Sequence, residues 1–118
     1  MSKMILKKAL TLSLFALSMS AQAEINRELL ANRCYELAQT VTSLVPSQHN
    51  PTCVDKLYLA SLQMNTAGAL IWGDSITAAK QIISNAVSAL QYAELSSCKQ
   101  YIQISHSKLE ANNLKHML

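Results

Sequence analysis

TCVDKLYLASLQMNTAGALIWGDSITAAKQIISNAVSALQYAELSSC, residues 52–98, is the stretch that decides the fold. It contains two glycines, Gly68 and Gly73, and no proline. Cys53, Leu57, Ala60, Met64, Ala67 and Ile71 recur at steps of four, three, four, three and four, which is the period of one helix face and not strand alternation. Thr52 reads as the N-cap, with Asp55 three residues on as a carboxylate variant of the capping box. Leu59, Leu62 and Leu70 make this helix apolar on a second side too, which predicts it to be the most buried of the set. Gly73 fits the position just past a helix end and Asp74 the N-cap of the next helix, so a tight helix–helix turn is expected. Ile76, Ala79, Ile83, Ala86, Leu90 and Ala93 then form the stripe of a third helix. Its register fails at Ser97 and Gln100 and resumes one residue later with Cys98, Ile102, Ser105 and Leu109. Ser97 and Gln100 read as a capping box at that break, opening a fourth helix from about 98 to 112 or 113 that frays toward Leu118.

Toward the N-terminus, Leu30, Cys34, Leu37, Val41 and Leu44 line one face of a helix from about 25 to 45, which Pro46 stops. A single helix from Ser75 to the end would be longer than ~50 Å at ~1.5 Å per residue, too long for so small a domain to cover. The predicted fold is all-α, a small up-down four-helix bundle whose neighbours are joined by short connections.

Residues 1–23, MSKMILKKALTLSLFALSMSAQA, read as a secretory signal peptide. Lys3, Lys7 and Lys8 form its positive start, residues 9–19 an uncharged apolar run, and Ala21-Gln22-Ala23 a cleavage site with small residues at both recognised positions. The run is shorter than the ~20 apolar residues a bilayer span needs, and no cysteine marks a lipid anchor, so no stable membrane anchor is expected. Residues 24–118 are expected to remain as a single helical domain, periplasmic or secreted from a bacterial cell. Three of the ten Lys and Arg lie in the leader, so cleavage leaves seven against seven Asp and Glu. Such a balance gives no electrostatic case for nucleic acid or an anionic membrane surface. It also does little to keep copies apart, so a homo-oligomer, for example a homodimer, is expected.

Cys34, Cys53 and Cys98 all survive cleavage, and an oxidising address makes one intramolecular disulfide the expectation, with one thiol left over. Cys53 and Cys98 open helices that start at the same end of an up-down bundle. Cys34 lies about ten helical residues away from that end, ~15 Å at ~1.5 Å rise, whereas a disulfide needs Cα atoms within ~7 Å. Cys53–Cys98 therefore ranks first, Cys34–Cys98 second and Cys34–Cys53 third. Free Cys34, on the apolar stripe of the first helix, is read as a small buried hydrophobe.

The sequence offers little for catalysis. No serine sits in a Gly-x-Ser-x-Gly elbow, two glycines cannot build a phosphate-cradling loop, and no Cys-x-x-Cys occurs. His106 and Glu110, four apart on one helix face, could hold a metal only with further ligands that the sequence does not place, and His49 stands alone in the loop before Cys53. Neither metal nor cofactor is expected. Trp72, the single tryptophan, closes the second helix and is the candidate interface residue, with a bundle-end plug as its plainer role. In size, address and cysteine use the chain resembles small disulfide-bonded periplasmic helical proteins: immunity proteins, pilotin-like secretion accessories and acid-stress chaperones. It carries no single family's motif. The expected function is non-enzymatic binding of another protein in the periplasm, as an inhibitor or immunity partner. An accessory role in a secretion or envelope system comes second, and a small-ligand or metal carrier third.

Overall fold

The computed structural model describes residues 26–118, so the leader reading of 1–23 lies outside it. Four helices follow one another: α1 (residues 26–43), α2 (Pro51–Trp72), α3 (Ile76–Glu94) and α4 (Tyr101–Met117). Contacts between them fix the topology. The Tyr35 ring of α1 lies against Gly68 of α2, and the Ser61 hydroxyl of α2 donates to the Ala38 carbonyl of α1 at 2.9 Å. The Lys56 ammonium of α2 sits 4.5 Å from the centre of the Tyr92 ring of α3. Lys108 of α4 meets Glu94 of α3 at 2.8 Å, and Arg33 of α1 donates to the Met117 sulfur of α4 at 3.7 Å. In each pairing the numbering rises along one helix as it falls along its neighbour. The four form an antiparallel ring, the up-down-up-down bundle expected from short connections.

Alanines let the helices approach, and larger side chains fill the space between them. Ala60, Ala67, Ala79, Ala86, Ala93 and Ala111 are fully buried beside Leu57, Met64, Ile71, Ile83, Leu90 and Ile104. Gly68 leaves room for the Tyr35 ring, since a Cβ there would lie 2.5 Å from it. The α3 stripe falls inside as expected, with Ala79, Ile83, Ala86, Leu90 and Ala93 buried.

Three expectations are corrected. The cap of α2 is Asn50, whose side-chain oxygen accepts from the Thr52 backbone N–H at 2.9 Å, and Thr52 lies inside the helix. Pro51 occupies the first helical position, where its fixed φ suits the helix and its missing N–H costs nothing. α2 carries more buried residues than α1, α3 or α4, as expected, but its second apolar side is not buried: Leu59 and Leu62 are exposed. In a ring of four, each helix turns only one arc inward. Finally, the left-handed residue that closes α2 is Asp74, one place beyond Gly73, which serves as the C-cap. Gly73 keeps φ −79° while Asp74 takes φ 62°. The Asp74 N–H bonds to the Ile71 carbonyl at 3.1 Å and the Ser75 N–H to the Leu70 carbonyl at 2.8 Å, the double closure of a Schellman motif. Ser75, not Asp74, is then the N-cap of α3.

The phase of α4 differs most. Its buried face is Ile104, Ser107, Ala111 and Leu114, whereas Ile102 and Leu109 of the expected stripe face solvent. That stripe takes its phase from Cys98, but Cys98 belongs to the connection before the helix and so does not set the helix register. Ser97 and Gln100 are not a capping box either. Both adopt left-handed φ, 59° and 61°, and no side chain caps the start of α4. The helix continues to Met117 because Leu114 is drawn into the core and Leu118 packs against it.

Candidate functional site

The connection between α3 and α4, residues 95–100, is locally unfavourable. A left-handed conformation costs an L-residue on the order of 1–2 kcal/mol, and this stretch contains two, neither of them glycine. Strained backbone of this kind persists only where its surroundings over-determine it. Here two devices do so. Cys98 is bonded to Cys53 at the start of α2, with Cα atoms 5.6 Å apart, the pair that equal helix heights favour. Gln48, from the loop after α1, grips Lys99 by both backbone groups: its Nε2 donates to the Lys99 carbonyl at 2.8 Å, and its Oε1 accepts from the Lys99 N–H at 2.9 Å. The same Nε2 donates to the Leu44 carbonyl at 3.0 Å, so this buried amide is satisfied on every side. The Ser47 hydroxyl adds a bond to the Gln100 side-chain oxygen at 2.7 Å.

This anchored stretch holds apolar side chains out in solvent. Leu95 is 76 % exposed and Ile102 76 %, with Leu109 following one heptad along α4 at 58 %. Tyr101, Ile102, Ser105, His106, Lys108 and Leu109 line a shallow groove of about 510 Å³ on the outer side of α4. At its edge Lys108 is bound to Glu94. The Lys108 hydrogen bond, and after it the influence of the nearby Ser105 hydroxyl, holds the Glu94 carboxyl below the usual range, so it stays ionised and keeps Lys108 in place.

The residues singled out from sequence are dispersed. Trp72 is half exposed beside the Gly73 turn, at the opposite end of the bundle from the groove. Cys34 is a free, fully buried thiol whose pKa is pushed up to about 11 by desolvation, hence protonated and unreactive at neutral pH. His49 is exposed in its loop, and His106 and Glu110 are exposed on α4. Among the described residues no three His, Cys, Asp or Glu side chains converge as a metal site would require. Near Trp72 a second cavity of about 210 Å³ is lined by Leu30, Ile71, Ile76 and Met117, with Arg27 and Asp74 3.9 Å apart at its mouth. It is smaller than the ~300 Å³ at which small-molecule sites begin.

Sequence reasoning missed the surface built from Tyr101, Ile102 and Leu109. The signal was present in the form of two stripes on α4, Ile102 with Leu109 and Ile104 with Ala111 and Leu114, of which one helix can bury only one. No described helix is long and apolar enough to cross a membrane. Comparison with protein-family models, with curated proteins and with solved structures gave no match, so no relative lends this chain a function.

Proposed function

We propose that this is an exported, non-enzymatic helical protein that binds another protein in the periplasm, through the outer face of α4 and the connection that leads into it. The observation that carries this reading is the groove itself: Ile102 and Leu109 are exposed together, rimmed by polar side chains, on the helix that the clamped connection leads into. Single exposed hydrophobes need no explanation, whereas grouped ones rimmed by polar residues mark interaction sites. Clamping supports the same reading. A surface already ordered loses less entropy on association, so more of its apolar burial becomes affinity. The leader at residues 1–23 and the Cys53–Cys98 disulfide agree with an oxidising address. Both an inhibitor or immunity protein and an accessory protein of an envelope system would act by such a surface.

A photo-reactive amino acid placed at Ile102 or Leu109 in the exporting cell tests this. Both positions should yield one discrete adduct with a second protein, while the exposed position Gln81 on α3 yields none. Ile102→Glu should abolish the adduct formed from Leu109 and leave thermal unfolding unchanged. No adduct from either position, or the same pattern from Gln81, sinks the proposal.

A further inference from the structure

From Leu57 to Gly73 the chain carries no Asp, Glu, Lys, Arg or His. Burial explains only one side of that stretch. Leu57, Ala60, Met64, Ala67 and Ile71 face the core. Tyr58, Leu62, Asn65, Ala69 and Trp72, at steps of four, three, four and three, share an outer stripe, and all five are exposed. Leu62 is 64 % exposed, and Tyr58 and Trp72 are about half exposed. Aromatic side chains without a charge among them are the composition of an interface core. The stripe is also self-complementary. Tyr58 and Trp72 stand seven residues to either side of Asn65, and Leu62 and Ala69 stand three before it and four after. When two such helices pack antiparallel about a two-fold axis at Asn65, Trp72 of one copy comes level with Tyr58 of the other. Each Leu62 then lies within one residue of the height of the other copy's Ala69, a large side chain against a small one. Asn65 meets its own copy on the axis, where an amide both donates to and accepts from an identical amide. Parallel packing would set Trp72 on Trp72 and Ala69 on Ala69, crowding one layer and leaving a void in the other.

We infer that the outer face of α2 is the interface of a two-fold dimer of this chain, packed antiparallel about Asn65. The pattern of large and small side chains selects a second copy as the occupant, and charge agrees. The stripe bears no charge that would repel a copy, and residues 24–118 hold seven basic against seven acidic side chains, so no long-range repulsion keeps copies apart. The area fits a reversible dimer. An aromatic side chain buries on the order of 150–250 Å² in full, so half-exposed Tyr58 and Trp72 still offer about 100 Å² each. With Leu62, Ala69, Asn65 and the adjoining Leu59 the strip offers roughly 500 Å² per copy, and a pair buries about 1,000 Å², the lower edge of specific interfaces, where weak association is the rule. In the ring of helices α2 stands diagonally across from α4, so this dimer leaves the α4 groove free.

Sedimentation equilibrium of the purified protein tests the interface. Monomer and dimer should interconvert between about 1 and about 500 µM, the range of a micromolar dissociation constant. Leu62→Glu and Ala69→Glu should each weaken dimerisation about tenfold or more, with the melting temperature of the dilute monomer unchanged. Gln81→Glu, at the exposed position on α3, should leave dimerisation as it is. The single tryptophan gives a second readout: Trp72 emission should move to the blue as the protein is concentrated, and should not do so in Leu62→Glu. Asn65→Cys reads the arrangement, since an axis at that residue brings two thiols together, and mild oxidation should link the dimer there but not through Gln81→Cys. A protein that stays monomeric over the whole range overturns the inference. So does a dimer that survives both Leu62→Glu and Ala69→Glu, or one that Gln81→Glu weakens equally. A dimer lost in Leu62→Glu but not linked through Asn65→Cys overturns the antiparallel arrangement.

Discussion

At one end of the bundle the chain turns through residues 95–100 under a disulfide and a side-chain amide; at the other it turns through Gly73 and Asp74 on backbone hydrogen bonds to its own helix. Both turns use non-glycine residues at positive φ. The difference lies in where their support comes from. The Asp74 turn is closed by carbonyls of its own helix, Ile71 and Leu70, three and five residues back. The 95–100 connection is held by Gln48 and Cys53, more than forty residues away in sequence. A tight turn encodes its geometry locally, whereas an irregular connection depends on partners that arrive only when the whole bundle has formed. The apolar groove begins at the end with distant support, while the small cavity and the exposed Arg27–Asp74 pair mark the other.

The largest effect should come from removing the distant covalent support. Replacing Cys53 and Cys98 together by alanine should lower stability by ~2–4 kcal/mol, since a closed loop of this length restrains the unfolded chain. Urea unfolding measures it; a loss below ~1 kcal/mol would assign the anchoring mainly to Gln48. Gln48→Ala should cost about 1–3 kcal/mol, because it strips partners from both backbone groups of Lys99. Its signature is local: amide exchange should accelerate at 97–100 and stay unchanged at 73–75. The smallest effect is expected at the opposite end and has the opposite sign. Asp74→Gly should stabilise by up to ~1 kcal/mol, as glycine adopts φ 62° without a Cβ penalty although it adds freedom to the unfolded chain. The substitution also removes the ion pair with Arg27, but at 3.9 Å and open to solvent that pair offsets little of the gain. A lowered melting temperature for Asp74→Gly would mean that this turn, too, relies on support from beyond its own helix.

Legibility in the sequence follows the same division. The α3 stripe can be read directly because Ile76 to Ala93 offers a single apolar face. The existence of the turn at 73–74 is legible, but its left-handed residue is not. Glycine is the usual occupant of that position, and here Gly73 sits one place earlier. Pro51 reads as a boundary although proline is at home in a first turn, which shifts the expected cap from Asn50 to Thr52. The Cys53–Cys98 pairing needs only helix order and height, so it is readable before any packing detail. The phase of α4 is not, because Ile102/Leu109 and Ile104/Ala111/Leu114 satisfy the same period and only packing against α3 and α1 chooses between them. The candidate site shares that fate: periodicity assigns its side chains to the interior, and the clamp beneath them runs through Gln48, a residue with no sequence signal for that role.

The position of Cys34 has a consequence for how the chain becomes oxidised. Cys34 and Cys53 lie nineteen residues apart in sequence, against forty-five for Cys53 and Cys98. In a flexible chain, closure probability falls as roughly the 3/2 power of loop length. The shorter, non-native link should therefore form about three to four times as often as the native one before structure appears. Only after α1 has packed does Cys34 disappear from the competition, buried with its proton retained. A chain oxidised early reaches the native pairing when the free Cys98 thiolate attacks the Cys53 sulfur and releases Cys34 for burial.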